Sequence, residues 1–112
     1  MSTNEKMLSM EEMIKDRHFA NALNTFYWIQ EWGAKHYKDG QRTGLKISDM
    51  LDQDENWKKL SDTEHQEIGK LIAYNFPNLA ALCTIPVYVV FEQSDENNKG
   101  VYRFATYTDE NV

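Results

Sequence analysis

The segment from Ser61 to Pro77 constrains this 112-residue chain more than any other, because both of its ends carry helix-boundary signals. Ser61 and Glu64 form a Ser-x-x-Glu capping box, whose side chains accept the free backbone N–H groups at a helix start. Apolar residues at helical spacing follow, at Ile68, Leu71, Ile72 and Phe76. Proline cannot continue a regular helix. The pattern therefore predicts an amphipathic helix that stops near Phe76, with a further short turn at Leu79–Leu82.

The C-terminal third of the chain changes from a helical pattern to a strand pattern. Residues 85–92 and 101–108 are rich in β-branched and aromatic side chains, and the polar, turn-prone residues 93–100 lie between them. These features predict a C-terminal β-hairpin whose loop closes at Gly100.

A second helical region is predicted in residues 9–37. Ser9 and Glu12 repeat the capping box, and apolar residues then recur at helical spacing with no proline to interrupt them. The pattern allows either one long helix or two shorter helices that break near Asp16–His18. Residues 1–8 are polar and are expected to fray.

Shorter elements are predicted between the two helical regions. Thr43–Ile47 is a candidate extended segment, Ser48 is a candidate N-cap of a short helix, and residues 52–56 form a polar loop. The resulting order is helix, short strand, short helix, helix, strand, strand, which is typical of a winged helix. In that arrangement the helix that begins after Ser61 takes the recognition position, and the hairpin loop is the wing.

We therefore predict an α+β fold of winged-helix-like type, with a helix, a short strand, two helices and a C-terminal β-hairpin. A single domain is expected over residues 1–112, since independent cores rarely form below about 50 residues. Residues 9–37 would be an N-terminal helical extension, and residues 43–108 would be the winged-helix-like region.

The residues around Trp57 resemble a family of small bacterial and phage proteins known only as a domain of unknown function. The shared signature is a Trp-x2-Leu start followed by an aliphatic-glycine pair, and it is matched by Trp57, Leu60, Ile68 and Gly69, with Tyr102 in the hairpin. The resemblance covers residues 43–106 and implies a winged-helix-like fold and a phage or mobile-element origin, without an established activity. His65 stands where the family has arginine, which weakens the expectation of a basic recognition helix.

The glycine of this signature lies inside a predicted helix. A helix-interior glycine costs about 1 kcal/mol relative to alanine unless another group packs close to it. We therefore expect a hairpin strand or an aromatic ring to lie against Gly69.

The composition excludes several classes of protein. No stretch of about 18 apolar residues predicts a membrane span, and the N-terminus lacks the apolar core of a secretory signal. The single cysteine, Cys83, lies in an apolar run and cannot form an internal disulfide. We therefore expect a cytoplasmic protein in a reducing compartment.

The sequence contains no motif that predicts catalysis or metal binding. Nucleotide-binding and nucleophile motifs are absent, and the three histidines lack the spacing of zinc ligands. Residues 52–56 begin like a calcium loop, but Trp57 and Thr63 stand where that loop requires glycine and glutamate. We predict no enzyme activity, no metal, no cofactor and no small-molecule substrate.

The charge pattern favours a protein partner over nucleic acid. The chain has 12 lysines and arginines against 18 acidic residues, a net charge of −6. The predicted recognition helix and the wing are both acidic on their exposed positions, which opposes contact with phosphates. We expect a regulator or inhibitor, in effect a DNA mimic, that occupies a host protein which handles nucleic acid. A winged-helix transcriptional regulator that binds DNA is the alternative.

The aromatic residues of the N-terminal helix lie on more than one of its faces. Trp28 and Trp32 are neighbours at i,i+4, rotated away from Leu23 and Phe26. The hairpin, a second copy of the chain in a homodimer, or a foreign protein could cover this second face. The predicted protein-binding residues combine these aromatic side chains with acidic ones: Tyr27, Trp28, Trp32, Asp52, Asp54, Glu55, Glu64, Glu67, Asp95 and Glu96.

Overall fold

The computed structural model describes residues 8–37, 43–97 and 99–105. In that part of the chain, six helices precede a two-stranded antiparallel hairpin, so the predicted α+β class is confirmed. None of the described helices has the length and apolar character needed to cross a membrane. The elements are α1 (Met10–Lys15), α2 (Phe19–His36), α3 (Ile47–Met50), α4 (Glu55–Lys58), α5 (Asp62–Tyr74), α6 (Phe76–Leu82), β1 (Val89–Ser94) and β2 (Gly100–Phe104).

The N-terminal region forms two helices, one of the two arrangements that the sequence allowed. The capping box at the start of α1 is present, with the Ser9 hydroxyl accepting the Glu12 N–H at 3.1 Å. The chain becomes extended at Asp16, whose Oδ1 accepts the His18 N–H at 2.8 Å and so separates α1 from α2. Leu8, which we expected to fray, is held because its backbone N–H donates to Asn75 Oδ1 at 3.0 Å. Residues 1–7 of the expected frayed segment lie outside the described residues.

The segment between α2 and α4 differs in detail from its prediction. The extended part of residues 43–47 is a single bridge, in which Leu45 and Tyr102 exchange backbone hydrogen bonds of 2.9 and 2.7 Å. The N-cap of α3 is Lys46 and not Ser48, because Lys46 has the extended backbone of a cap and Ile47 is already helical and buried. The predicted polar loop contains the start of α4, a helix that Asp54 caps.

α5, the helix that we predict to take the recognition position, begins where the sequence predicts and ends two residues earlier. Its capping box is present, with the Ser61 hydroxyl accepting the Glu64 N–H at 3.2 Å. α5 stops at Tyr74 because Asn75 caps it, its backbone N–H and its Nδ2 both donating to the carbonyl of Leu71. Pro77 then lies in the first turn of α6, where a missing N–H removes no helical hydrogen bond.

The hairpin is present but shifted along the sequence. β1 begins at Val89 and not at residue 85, because Pro86 has no N–H for a strand ladder and the Tyr88 N–H bonds to Gln30 of α2. β1 also runs on to Ser94, with a bulge between Phe91 and Gln93, so the loop is shorter than predicted. Residues 106–108 of the predicted return strand lie outside the described residues.

The core lies between α2, α5 and the hairpin. All three contribute side chains that are 0 or 1% exposed, each typically worth about 1.5–3 kcal/mol when buried. They include Phe26, Ile29, Ile68, Ile72, Val89 and Tyr102.

α2 approaches the start of β1 along a contact that we call the α2–β1 seam, formed by Gln30, Gly33, Tyr88 and Val89. A Cβ at Gly33 would lie 2.7 Å from Val89 Cγ2 and 2.8 Å from Tyr88 Cβ, so this approach requires glycine. The buried Gln30 carboxamide accepts the N–H groups of Tyr88 and Val89 at 2.6 and 2.8 Å. It also donates to the Val89 carbonyl at 2.8 Å. Gln30 therefore bonds to the outer edge of β1 as a neighbouring strand would.

The outer face of α5 has the opposite character. It consists of Asp62, Gln66, Gly69, Lys70 and Ala73, which helical geometry places on one side. No heavy atom would lie within 4 Å of a Cβ at Gly69. The expectation that a strand or an aromatic ring packs against Gly69 is therefore wrong, because the groups that cover α5 lie on its opposite side, around Ile68 and Ile72.

Candidate functional site

Three of the predicted acidic residues make hydrogen bonds within the fold. Asp54 accepts the Trp57 N–H at 2.9 Å and caps α4. Glu64 closes the capping box of α5, and hydrogen bonds from the Ser61 N–H and hydroxyl lower the pKa of this carboxyl. These two carboxylates stabilise the first turns of α4 and α5, where their negative charge also interacts favourably with the helix dipole. Asp95 is the third.

Asp95 organises the hairpin loop and ties it to the start of α3. Its Oδ1 accepts the N–H groups of Asn97 and Lys99, both at 2.9 Å, while its Oδ2 lies 2.6 Å from Lys46 Nζ. The hydrogen bond from Lys46 is the main reason that the pKa of Asp95 is lowered to about 2. The same bond raises the pKa of Lys46.

The Lys46 ammonium brings the hairpin loop and α3 together. Besides Asp95, the charges of Asp49 and Glu96 act on this ammonium and favour its protonated form. The acidic end of the hairpin therefore lies beside the acidic start of α3. Sequence reasoning missed both Lys46 and Asp49, since only the fold brings this lysine to a loop 49 residues away.

The remaining predicted acids are exposed or half-exposed. Asp52, Glu55 and Glu96 are exposed, and Glu67 is half-buried on α5. We call residues 49–67 the acidic segment, because it contains seven carboxylates and two lysines, a formal charge of 2 − 7 = −5. Its carboxylates are Asp49, Asp52, Asp54, Glu55, Asp62, Glu64 and Glu67.

Cations near this segment and on the hairpin lie close to carboxylates. The side chains of Lys58 and Lys70 lie 3.7 and 3.8 Å from those of Glu55 and Glu67, each within one turn of helix. On the hairpin, Arg103 Nε lies 3.5 Å from Glu92 Oε2. Exposed pairs of this kind contribute little stability. Their importance here is that Lys58, Lys70 and Arg103 each already face an opposite charge, whereas Lys59 and Lys99 are exposed.

The predicted aromatic residues lie mostly against the protein itself. Trp32 stacks on Phe104 of β2 with ring centroids 5.8 Å apart and planes 6° from parallel, and it also stacks on His36. The hairpin therefore covers Trp32. It is one of the three covers that the sequence allowed, the others being a second copy of the chain and a foreign protein. Trp28 is half-buried against the core, and the Tyr27 hydroxyl accepts the Thr84 N–H at 3.4 Å.

The structure therefore divides the predicted set into two groups. The hairpin-loop acids Asp95 and Glu96 lie with Asp49 around Lys46, and the other predicted acids belong to the acidic segment. The aromatic residues of α2 pack within the protein: Trp32 against the hairpin, Trp28 against the core and Tyr27 beside Thr84. Larger apolar side chains that are exposed lie elsewhere among the described residues, and sequence reasoning did not single them out: Met10, Ile14, Tyr37 and Leu82.

The described residues hold no cluster of three or more histidine, cysteine or acidic side chains that could bind a metal. Cys83 is half-buried, with its Sγ 3.6 Å from the Ile85 carbonyl oxygen. His65 stacks on Trp57 with ring centroids 4.0 Å apart, and its Nε2 lies 2.7 Å from the Trp57 carbonyl oxygen. These contacts join α4 to α5 and so fix the position of the acidic segment.

Comparisons with protein-family models, with curated proteins and with solved structures found no match to the chain.

Proposed function

We propose that this chain is a non-enzymatic protein-binding module with a winged-helix-like fold. In this proposal it regulates or inhibits a host protein that handles nucleic acid, by presenting carboxylates where that protein normally meets phosphates. The binding surface is the acidic segment together with the acidic hairpin loop.

The strand pairing supports the winged-helix-like part of the proposal. Leu45 bridges to Tyr102, while Tyr102 also pairs with Phe91 of β1. Leu45 therefore lies on the free side of β2, where a winged helix has its short first strand. α5 holds the recognition position, and α6 is an addition between it and the hairpin.

The ion pairing of the cations is the observation that carries the functional proposal. A protein binds nucleic acid by neutralising phosphates with lysine and arginine side chains. Lys46, Lys58 and Lys70 each lie within 4 Å of a carboxylate, at 2.6, 3.7 and 3.8 Å respectively. Two further lysines, Lys59 and Lys99, are exposed. A duplex would have to compete with those carboxylates and approach the acidic segment as well. A basic protein surface would meet the same charges favourably.

The exposed carboxylates supply what such a partner would contact. Asp49, Asp52, Asp62 and Glu96 are exposed. Asp54, Glu64 and Asp95 are engaged in the fold and hold their helices and loop in place. We therefore assign the recognition to the first group and the positioning to the second.

A gel-shift assay with random-sequence duplex DNA at low salt separates the proposal from its alternative. We expect no shift. A shift that weakens as salt is added would favour a DNA-binding regulator, because counterion release gives phosphate contacts that dependence. A Lys70→Gln variant would then identify α5 as the contact if it reduced the shift.

A competition experiment tests the proposal directly. The wild-type chain is used to capture proteins from an extract of its source organism, and duplex DNA is then added. We expect at least one captured protein to bind nucleic acid and to be displaced by the duplex. The double variant Asp52→Asn/Asp62→Asn should capture this protein less well.

The matched control is Glu11→Gln/Glu31→Gln, which removes two exposed carboxylates from α1 and α2 and changes the net charge by the same amount. It should capture the partner as well as wild type does. Equal loss in both variants, or no partner that DNA displaces, would contradict the proposal.

A further inference from the structure

We draw no further inference here: the strongest candidate, the outer face of α5 around Gly69 and Ala73, is a stripe of small residues, and nothing in the structure shows what covers it.

Discussion

The α2–β1 seam and the outer face of α5 each contain a glycine inside a helix, and the two glycines have opposite surroundings. At Gly33 an added Cβ would meet Val89 and Tyr88 within 2.8 Å, whereas at Gly69 it would meet no heavy atom within 4 Å. Both glycines carry the same intrinsic cost to the helix. Only at Gly33 does a close contact with the hairpin offset that cost. The same residue therefore indicates packing in one helix and an open surface in the other.

The two regions also each contain a glutamine, and only the one in the seam is buried. Gln30 is 0% exposed and makes three hydrogen bonds to β1, whereas Gln66 on the outer face of α5 is exposed. The seam is thus specified by both a glycine and a buried polar side chain. Substitutions at matched positions on α2 and α5 should separate the contribution of the glycine to stability from that of the buried glutamine.

The largest effect is expected for Gln30→Leu. The substitution leaves the N–H groups of Tyr88 and Val89 and the Val89 carbonyl buried without their partner, and each such group costs about 1–3 kcal/mol. We expect the free energy of unfolding to fall by about 3 kcal/mol or more, measured by urea denaturation followed by circular dichroism. The matched variant Gln66→Leu should change it by no more than about 0.5 kcal/mol. Similar losses in both variants would show that Gln30 does not hold β1.

Gly33→Ala should have the next largest effect. The new methyl group would overlap Val89 Cγ2 and Tyr88 Cβ, and overpacking of this kind typically costs about 1–3 kcal/mol. Part of that loss is offset because alanine favours the helix. We expect a net loss of about 1–2 kcal/mol in the same urea measurement. An unchanged or higher stability would mean that α2 can move away from β1 at little cost.

Gly69→Ala should shift stability in the opposite direction. Alanine has the higher helix propensity and has room on the outer face of α5, so we expect a gain of about 0.5–1 kcal/mol. Thermal unfolding monitored by circular dichroism would detect it as a higher Tm. A loss of stability in the purified chain would show that α5 does not tolerate a side chain here, and would remove the contrast with Gly33.

Much of the helical structure could be predicted because its signals are local. The capping boxes at Ser9 and Ser61 each act over three residues, and both are present as predicted. Asp54 caps α4 over the same short distance, yet the loop around it was predicted only as polar. The end of α5 was misplaced by two residues because Asn75, and not the proline, terminates it.

The seam could not be predicted, since its parts are far apart in sequence. Gln30 and Val89 are 59 residues apart, and no local pattern indicates that this glutamine is buried. The meaning of a helix-interior glycine depends on the same long-range information. That is why the sequence predicted a close contact at Gly69, where the structure is open, and did not indicate the one at Gly33.

The acidic side chains show a similar limit for the candidate site. Sequence reasoning selected Asp95 and Asp52 alike, as loop carboxylates available to a partner. The fold distinguishes them, because Asp95 holds Lys46 and two backbone N–H groups while Asp52 is exposed. Local composition predicts that a surface is acidic, and only the contacts show which of its carboxylates are occupied.

The smallest effect is expected for Asp95→Asn, which extends the comparison to a partly buried ion pair at the hairpin loop. Asparagine keeps an oxygen that can accept the N–H groups of Asn97 and Lys99 but removes the charge that faces Lys46. The pKa of Asp95 is lowered in the folded chain from 3.8 to about 2. Its ionised form therefore stabilises the fold above about pH 4, and that contribution is lost as the pH falls toward 2.

Wild type should accordingly be more stable than Asp95→Asn at neutral pH, and the difference should shrink as the pH is lowered through this range. Urea denaturation at pH 7 and at pH 3 would measure it, with Asp52→Asn as the matched control in which the difference should stay near zero at both pH values. Because the Lys46 contact is only partly buried, added salt should also reduce the difference. Equal stability of wild type and Asp95→Asn at pH 7 would mean that the charge facing Lys46 contributes nothing, and that the hairpin depends on the seam at its other end and not on Lys46.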